Sequence, residues 1–96
     1  MTMIVNKEAT GAHTDEAANL IGDTRERIDA LDERIIALVF ERMAASARVQ
    51  QARITSGGCR VNLSREMRIL ERYRESLGKP GTALAMTLLE LCRGQF

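Results

Sequence analysis

A chain of 96 residues, 45% hydrophobic and 28% charged, has the balance of one soluble globular domain and excludes a disordered or membrane-embedded chain. Aromatic residues make up 3%, with no tryptophan, which disfavours a small β-sandwich and favours helix. A net charge of +1 excludes a nucleic-acid binder that works through bulk charge. Cys59 and Cys92 show no metal-ligand spacing, and the one histidine, His13, lies near the N-terminus, so zinc sites and Ser/Cys–His machinery are excluded as well.

Residues 1–22 read as a flexible N-terminal tail that mixes Gly, Ala, Thr, Asp and His without a period. Met3-Ile4-Val5 is too short for a signal-peptide core, and no apolar run approaches membrane-spanning length, so a cytoplasmic location is expected. From Asp23 the pattern changes. Ile28, Leu31, Ile35, Leu38, Arg42, Ala45, Val49 and Ala52 recur at spacings of three and four, which predicts one continuous helix, capped by Asp23 or Thr24 and stopped by Gly57-Gly58. Such a helix is close to 50 Å long. A compact monomer of this size has a radius of gyration of roughly 12 Å and a diameter of ~32 Å, so one chain cannot cover the stripe. A homodimer with intertwined long helices is the simplest remedy.

A second helix is predicted from Asn62 or Ser64, with Met67, Leu70, Tyr73 and Leu77 inward, stopping at Gly78. Lys79-Pro80-Gly81 reads as the next break. A third helix follows from a Thr82 cap, with Leu84, Leu88 and Leu91 on one side and Ala85, Leu89 and Cys92 beside them, ended by Gly94. The expected fold class is all-α, with one long and two shorter helices per chain.

Twelve of the 14 basic residues are arginine. Genome composition alone can produce that bias, but arginine is also the residue that grips carboxylates and phosphates with a planar fork. Position separates the two explanations. Arg42 sits at a core position of the long helix, where a guanidinium requires an anionic partner or a wet cavity; an interhelical pair with a glutamate would satisfy it structurally. Arg53, eleven residues on, points within ~20° of Arg42 and lies ~16 Å further along the axis. Arg25, seventeen residues before Arg42, is ~25 Å away on another face and could reach a ligand held by Arg42 only in a partner chain. Arg65 and Glu66 open the second helix, where helix-start N–H groups add donors. Arginines, one acid and no histidine suit a small dianion whose reaction needs charge stabilisation rather than proton transfer.

These residues carry a family resemblance. Thr24-Arg25-Glu26-Arg27-Ile28-Asp29-Ala30-Leu31-Asp32 followed by Glu41-Arg42 resembles the first helix of all-helical chorismate mutases. Val49-Gln50-Gln51-Ala52-Arg53 resembles its end, and Ser64-Arg65-Glu66-Met67 the start of the second helix. Ser56-Gly57-Gly58-Cys59-Arg60 is similar to the loop of short actinobacterial members. The resemblance spans residues 24–96 and makes 23–96 a chorismate mutase domain. It implies a homodimer with two active sites, each completed by an arginine of the other chain, and conversion of chorismate to prephenate by an intramolecular Claisen rearrangement without cofactor, metal, acid or base. By resemblance, Arg25 of the partner and Arg42 hold the two substrate carboxylates. Arg53 meets the breaking ether oxygen, Glu66 and Asn62 lie near the ring hydroxyl, and Arg65 supports the site and the carboxylate.

The chain departs from the family pattern in places. Asn62 stands where many relatives carry Asp, and Gln51 where Lys is frequent. The third helix ends early, with Cys92, Gln95 and Phe96 near positions where highly active members carry polar groups. Short actinobacterial members are boosted by complexing with DAHP synthase, which makes that enzyme an expected partner through ends such as Ser56–Arg60 and Arg93–Phe96. Three other readings compete: isochorismate pyruvate-lyase or 4-amino-4-deoxychorismate mutase on the same fold, a non-catalytic helical dimer or regulatory subunit, and a helical DNA-binding module. The last is the weakest, because arginines alternate with acids and no recognition helix stands out.

Overall fold

A computed structural model of the chain describes residues 10–58 and 62–93. The described residues form three helices and no strand: α1 spans Asp15–Thr55, α2 Leu63–Leu77 and α3 Lys79–Arg93. The chain divides into two compact units, residues 1–37 and 38–96, with the boundary inside α1.

In the first unit, α1 begins eight residues before the expected Asp23. Thr14 acts as its cap: Oγ1 accepts from the Ala17 N–H at 3.1 Å and the Thr14 carbonyl accepts from the Ala18 N–H at 3.0 Å. Asp15 and Glu16 in the first turn complement the helix dipole. Gly22 does not break the helix, since one interior glycine costs only about 1 kcal/mol against alanine. Residues 15–22, read from sequence as tail, are therefore helical. Ala18 is buried, whereas Ile28, Leu31 and Ile35 of the stripe stand exposed.

In the second unit, α1 closes as expected at Gly57-Gly58. The Gly58 N–H reaches the Arg53 carbonyl at 2.6 Å and the Gly57 N–H the Ile54 carbonyl at 3.0 Å, a Schellman closure. It requires Gly57 at φ +82°, which a residue with Cβ rarely adopts. Asn62 caps α2, its Oδ1 accepting from the Arg65 N–H at 3.1 Å, and Gly78 ends α2 by donating to the Arg74 carbonyl at 2.8 Å. The third helix starts at Lys79, three residues before the expected Thr82 cap. Pro80 is accommodated because the first helical turn leaves its N–H groups without intrahelical acceptors anyway.

Helices α2 and α3 pack as a hairpin with a close backbone approach at Gly81. A Cβ there would lie 2.3 Å from the Tyr73 carbonyl oxygen and 2.8 Å from Leu77 Cβ, so only glycine lets the backbones meet. The buried stripe of α3 runs from Gly81 through Ala85, Leu88 and Leu89 to Cys92. Leu84 and Leu91, placed with Leu88 on one side of the helix, are exposed while Leu88 is buried, because the stripe turns toward the small residues that permit the close approach. On α2, Leu70 and Tyr73 are half-buried as the period predicts, while Met67 and Leu77 are exposed. The expected stop at Gly94 lies outside the described residues, as do Cys59, Arg60, Gln95 and Phe96.

Candidate active site

The second unit contains a cavity of about 240 Å³ between the C-terminal part of α1, the start of α2 and the end of α3. Arg42 and Arg53 line it from α1, Asn62, Arg65 and Glu66 from the start of α2, and Cys92 and Arg93 from α3. The eleven-residue spacing of Arg42 and Arg53 is three helical turns, so one face of α1 presents both. Five of the six residues singled out from sequence thus border one space. The sixth, Arg25, is exposed on α1 in the first unit and does not line this cavity.

Local chemistry explains each placement. The Arg53 backbone is tied twice, because its carbonyl accepts from the Gly58 N–H and from Ser56 Oγ at 2.9 Å. That closure sets the origin of the Arg53 side chain before any ligand arrives. Asn62 owes its position to capping α2, which commits its Oδ1 and leaves its Nδ2 as a donor. Arg65 and Glu66 follow directly in the first turn of α2. The half-buried Arg42 donates through Nη1 to Cys92 Sγ at 2.7 Å, not to the interhelical glutamate that a purely structural role would supply. Glu66 pairs instead with Arg93 Nη2.

Three site components, Ser46, Gln50 and Arg93, are not singled out for the site by the sequence. Ser46 Oγ and Gln50 Nε2 each donate to the Cys92 carbonyl at 3.2 Å, and Arg93 takes Glu66. Cys92, which the sequence places near the family's polar positions on the third helix, supplies both a thiol and a carbonyl to the wall. One signal was available: residues 42, 46, 50 and 53 share a helical face, so Ser46 and Gln50 had to look where Arg42 and Arg53 look. Four arginines against one carboxylate among the described lining residues give the cavity a strongly cationic wall. Such a wall binds a small polyanion and stabilises negative charge that grows during reaction.

The family profile of chorismate mutase type II matches residues 24–90, more than half of the chain. This chain belongs to the chorismate mutase type II family. All six candidate residues, Arg25, Arg42, Arg53, Asn62, Arg65 and Glu66, fall within the matched span. The chain is 46% identical over 82 residues to the intracellular chorismate mutase of Mycolicibacterium smegmatis, covering 85% of this chain and 79% of that one. It is 49% identical over 75 residues to the intracellular chorismate mutase of Mycobacterium tuberculosis, covering 78% and 70%. Among solved structures it is similar to a chain of a non-covalent complex of DAHP synthase and chorismate mutase from Corynebacterium glutamicum with bound transition-state analogue. That match has a TM-score of 0.75 and 38% identity, over 79% of this chain and 92% of the other. The three-helix chorismate mutase architecture expected from the sequence is therefore the fold of this chain. No helix among the described residues is long and apolar enough to cross a membrane.

Proposed function

We propose that the protein is a chorismate mutase that rearranges chorismate to prephenate in the aromatic amino-acid branch of the shikimate pathway. The observation that carries this reading is the arginine-lined cavity of the second unit, in a chain of the chorismate mutase type II family. Arg42 takes one substrate carboxylate, and Arg25, supplied by a second copy of the chain, takes the other. Clamping both selects the folded, diaxial-like conformer in which the bonds that form and break are already close, removing an entropic part of the barrier. Arg53 directs its guanidinium at the ether oxygen, where negative charge grows as the bond breaks. A fixed donor in that role accelerates by about 10²–10³. Glu66 and the free Nδ2 of Asn62 address the ring hydroxyl, and Arg65 supports the carboxylate side. The rearrangement is unimolecular and transfers no proton to the protein, so these residues act by shape and charge alone.

The homodimer belongs to this proposal. Ile28, Leu31 and Ile35 in the first unit and Leu38 and Val49 in the second are all exposed in the single chain. An apolar row of that kind on one helix is the mark of a covered interface. A DAHP synthase is the proposed heterologous partner. The Corynebacterium chorismate mutase was solved in complex with one, and the lining of the cavity ends on α3, where a partner could complete it. A cytoplasmic location accompanies the reading, in keeping with relatives named intracellular.

Incubation of the purified protein with chorismate tests the proposal directly, with loss of substrate followed optically and prephenate identified by mass. Prephenate formation is expected, and it is expected to rise when the cognate DAHP synthase is added. Pyruvate release would instead indicate a lyase, and no consumption with or without the synthase would refute catalysis. Mixing Arg25→Ala chains with Arg42→Ala chains tests the shared site: activity returns in the mixture if each cavity borrows Arg25 from its partner.

A further inference from the structure

The end of α3 is held in a way that neither its packing nor the proposed chemistry requires. A helix leaves its last four carbonyls without intrahelical donors, and the Cys92 carbonyl lies in that last turn. Two side chains from one face of α1, Ser46 and Gln50, both donate to it at 3.2 Å. The flanking groups are engaged as well: the Cys92 thiol accepts from Arg42, and the next residue, Arg93, pairs with Glu66 at the start of α2. Two consecutive residues of α3 thus join all three walls of the cavity.

We propose that Ser46 and Gln50 are positioning residues that tether the last turn of α3 to α1 through the Cys92 carbonyl, and that this tether keeps Arg93 on Glu66. The consequence is electrostatic. Glu66 is the one carboxylate among the described lining residues, and left unpaired it would repel a dianionic ligand in the same cavity. With Arg93 in place, its charge is compensated before the ligand enters. Arg93 follows the Cys92 peptide directly, so fixing that peptide fixes where the guanidinium begins. The electrostatic half of this inference rests on the proposed function, whereas the tether itself does not.

The test uses the full-length protein carrying Cys59→Ser, which leaves Cys92 as the sole thiol. Cys92 is 6% exposed, so its alkylation by iodoacetamide reports opening of the last turn. Ser46→Ala combined with Gln50→Leu is expected to raise the alkylation rate about tenfold or more, while Ser46→Thr, which keeps a donor, leaves it within about twofold. Circular dichroism verifies folding, and Gln50→Leu alone carries the test if the double variant unfolds. An unchanged rate in the folded variant overturns the tether.

Steady-state kinetics on chorismate test the second half. The Ser46→Ala/Gln50→Leu pair and Arg93→Gln are each expected to raise KM about five- to tenfold with kcat within about twofold, and their combination to add nothing further. Additive effects, or a fall in kcat alone, overturn the link to Arg93. If the unaltered protein fails to convert chorismate, the functional reading falls while the alkylation result still decides the tether.

Discussion

The two halves of α1 carry the same apolar period and meet different fates. In residues 38–55 the helix faces α2 and α3, and its polar interruptions Arg42, Ser46, Gln50 and Arg53 turn into a cavity. In residues 15–37 the same spacing produces a row in which Ile28, Leu31 and Ile35 stand exposed, with Ile35 at 56%. A helical stripe therefore states that something will cover it, not what. The α2–α3 hairpin meets only the polar face of residues 38–55, where Leu38 and Val49 stay as exposed as Ile28 and Ile35, so the proposed second copy would cover the apolar row along both halves.

The largest expected effect breaks the exposed half. Replacing Ile28 and Ile35 together with glutamate should convert the proposed dimer to monomer in sedimentation velocity. Because Arg25 would then be missing from every site, activity on chorismate should fall by more than about 10³-fold, at least as much as losing a principal charge-stabilising donor. A dimer that persists would place the interface elsewhere. Next comes the half that lines the cavity. Arg53→Ala should lower kcat by about 10²–10³ while sedimentation and helicity remain unchanged, and near-normal turnover would remove Arg53 from the ether oxygen. A third prediction concerns packing without chemistry. Gly81→Ala should cost about 1–3 kcal/mol of stability in denaturant titration, because the added methyl meets backbone rather than a movable side chain. The smallest effect returns to the first unit: Thr14→Ala should cost about 1 kcal/mol or less and leave kcat and KM untouched, since it removes only a cap.

Features of the fold that depend on local chemistry were legible in the sequence. Gly57-Gly58 announces a Schellman closure, and Asn62 announces a cap, because each answers the need of a helix end within a few residues. The clustering of Arg42 with Arg53 was legible too, since helical periodicity alone puts them on one face. The start of α1 is not legible because Gly22 and Asp23 look like punctuation, yet neither is costly enough to stop a helix already capped at Thr14. The start of α3 is hidden for the converse reason: Pro80 and Gly81 read as a break, although the first turn tolerates proline and the hairpin requires glycine. The Ser46–Gln50–Cys92 arrangement was not legible. Its acceptor is a backbone carbonyl, and every residue has one, so nothing in residue type announces which carbonyl will lie opposite.

Gly81 also sets a lever. It is the fulcrum where α3 rests on the backbone of α2, and Cys92 lies eleven residues further, about 16 Å along the axis. A few tenths of an ångström of lift or a small tilt at the fulcrum is delivered, amplified, to the turn that borders the cavity. Every replacement of a glycine adds at least a Cβ, so this position has no silent amino-acid neighbour. Mutational drift that the exposed faces of α3 absorb freely is closed to it, and the shape of the pocket is guarded from a place that touches no ligand.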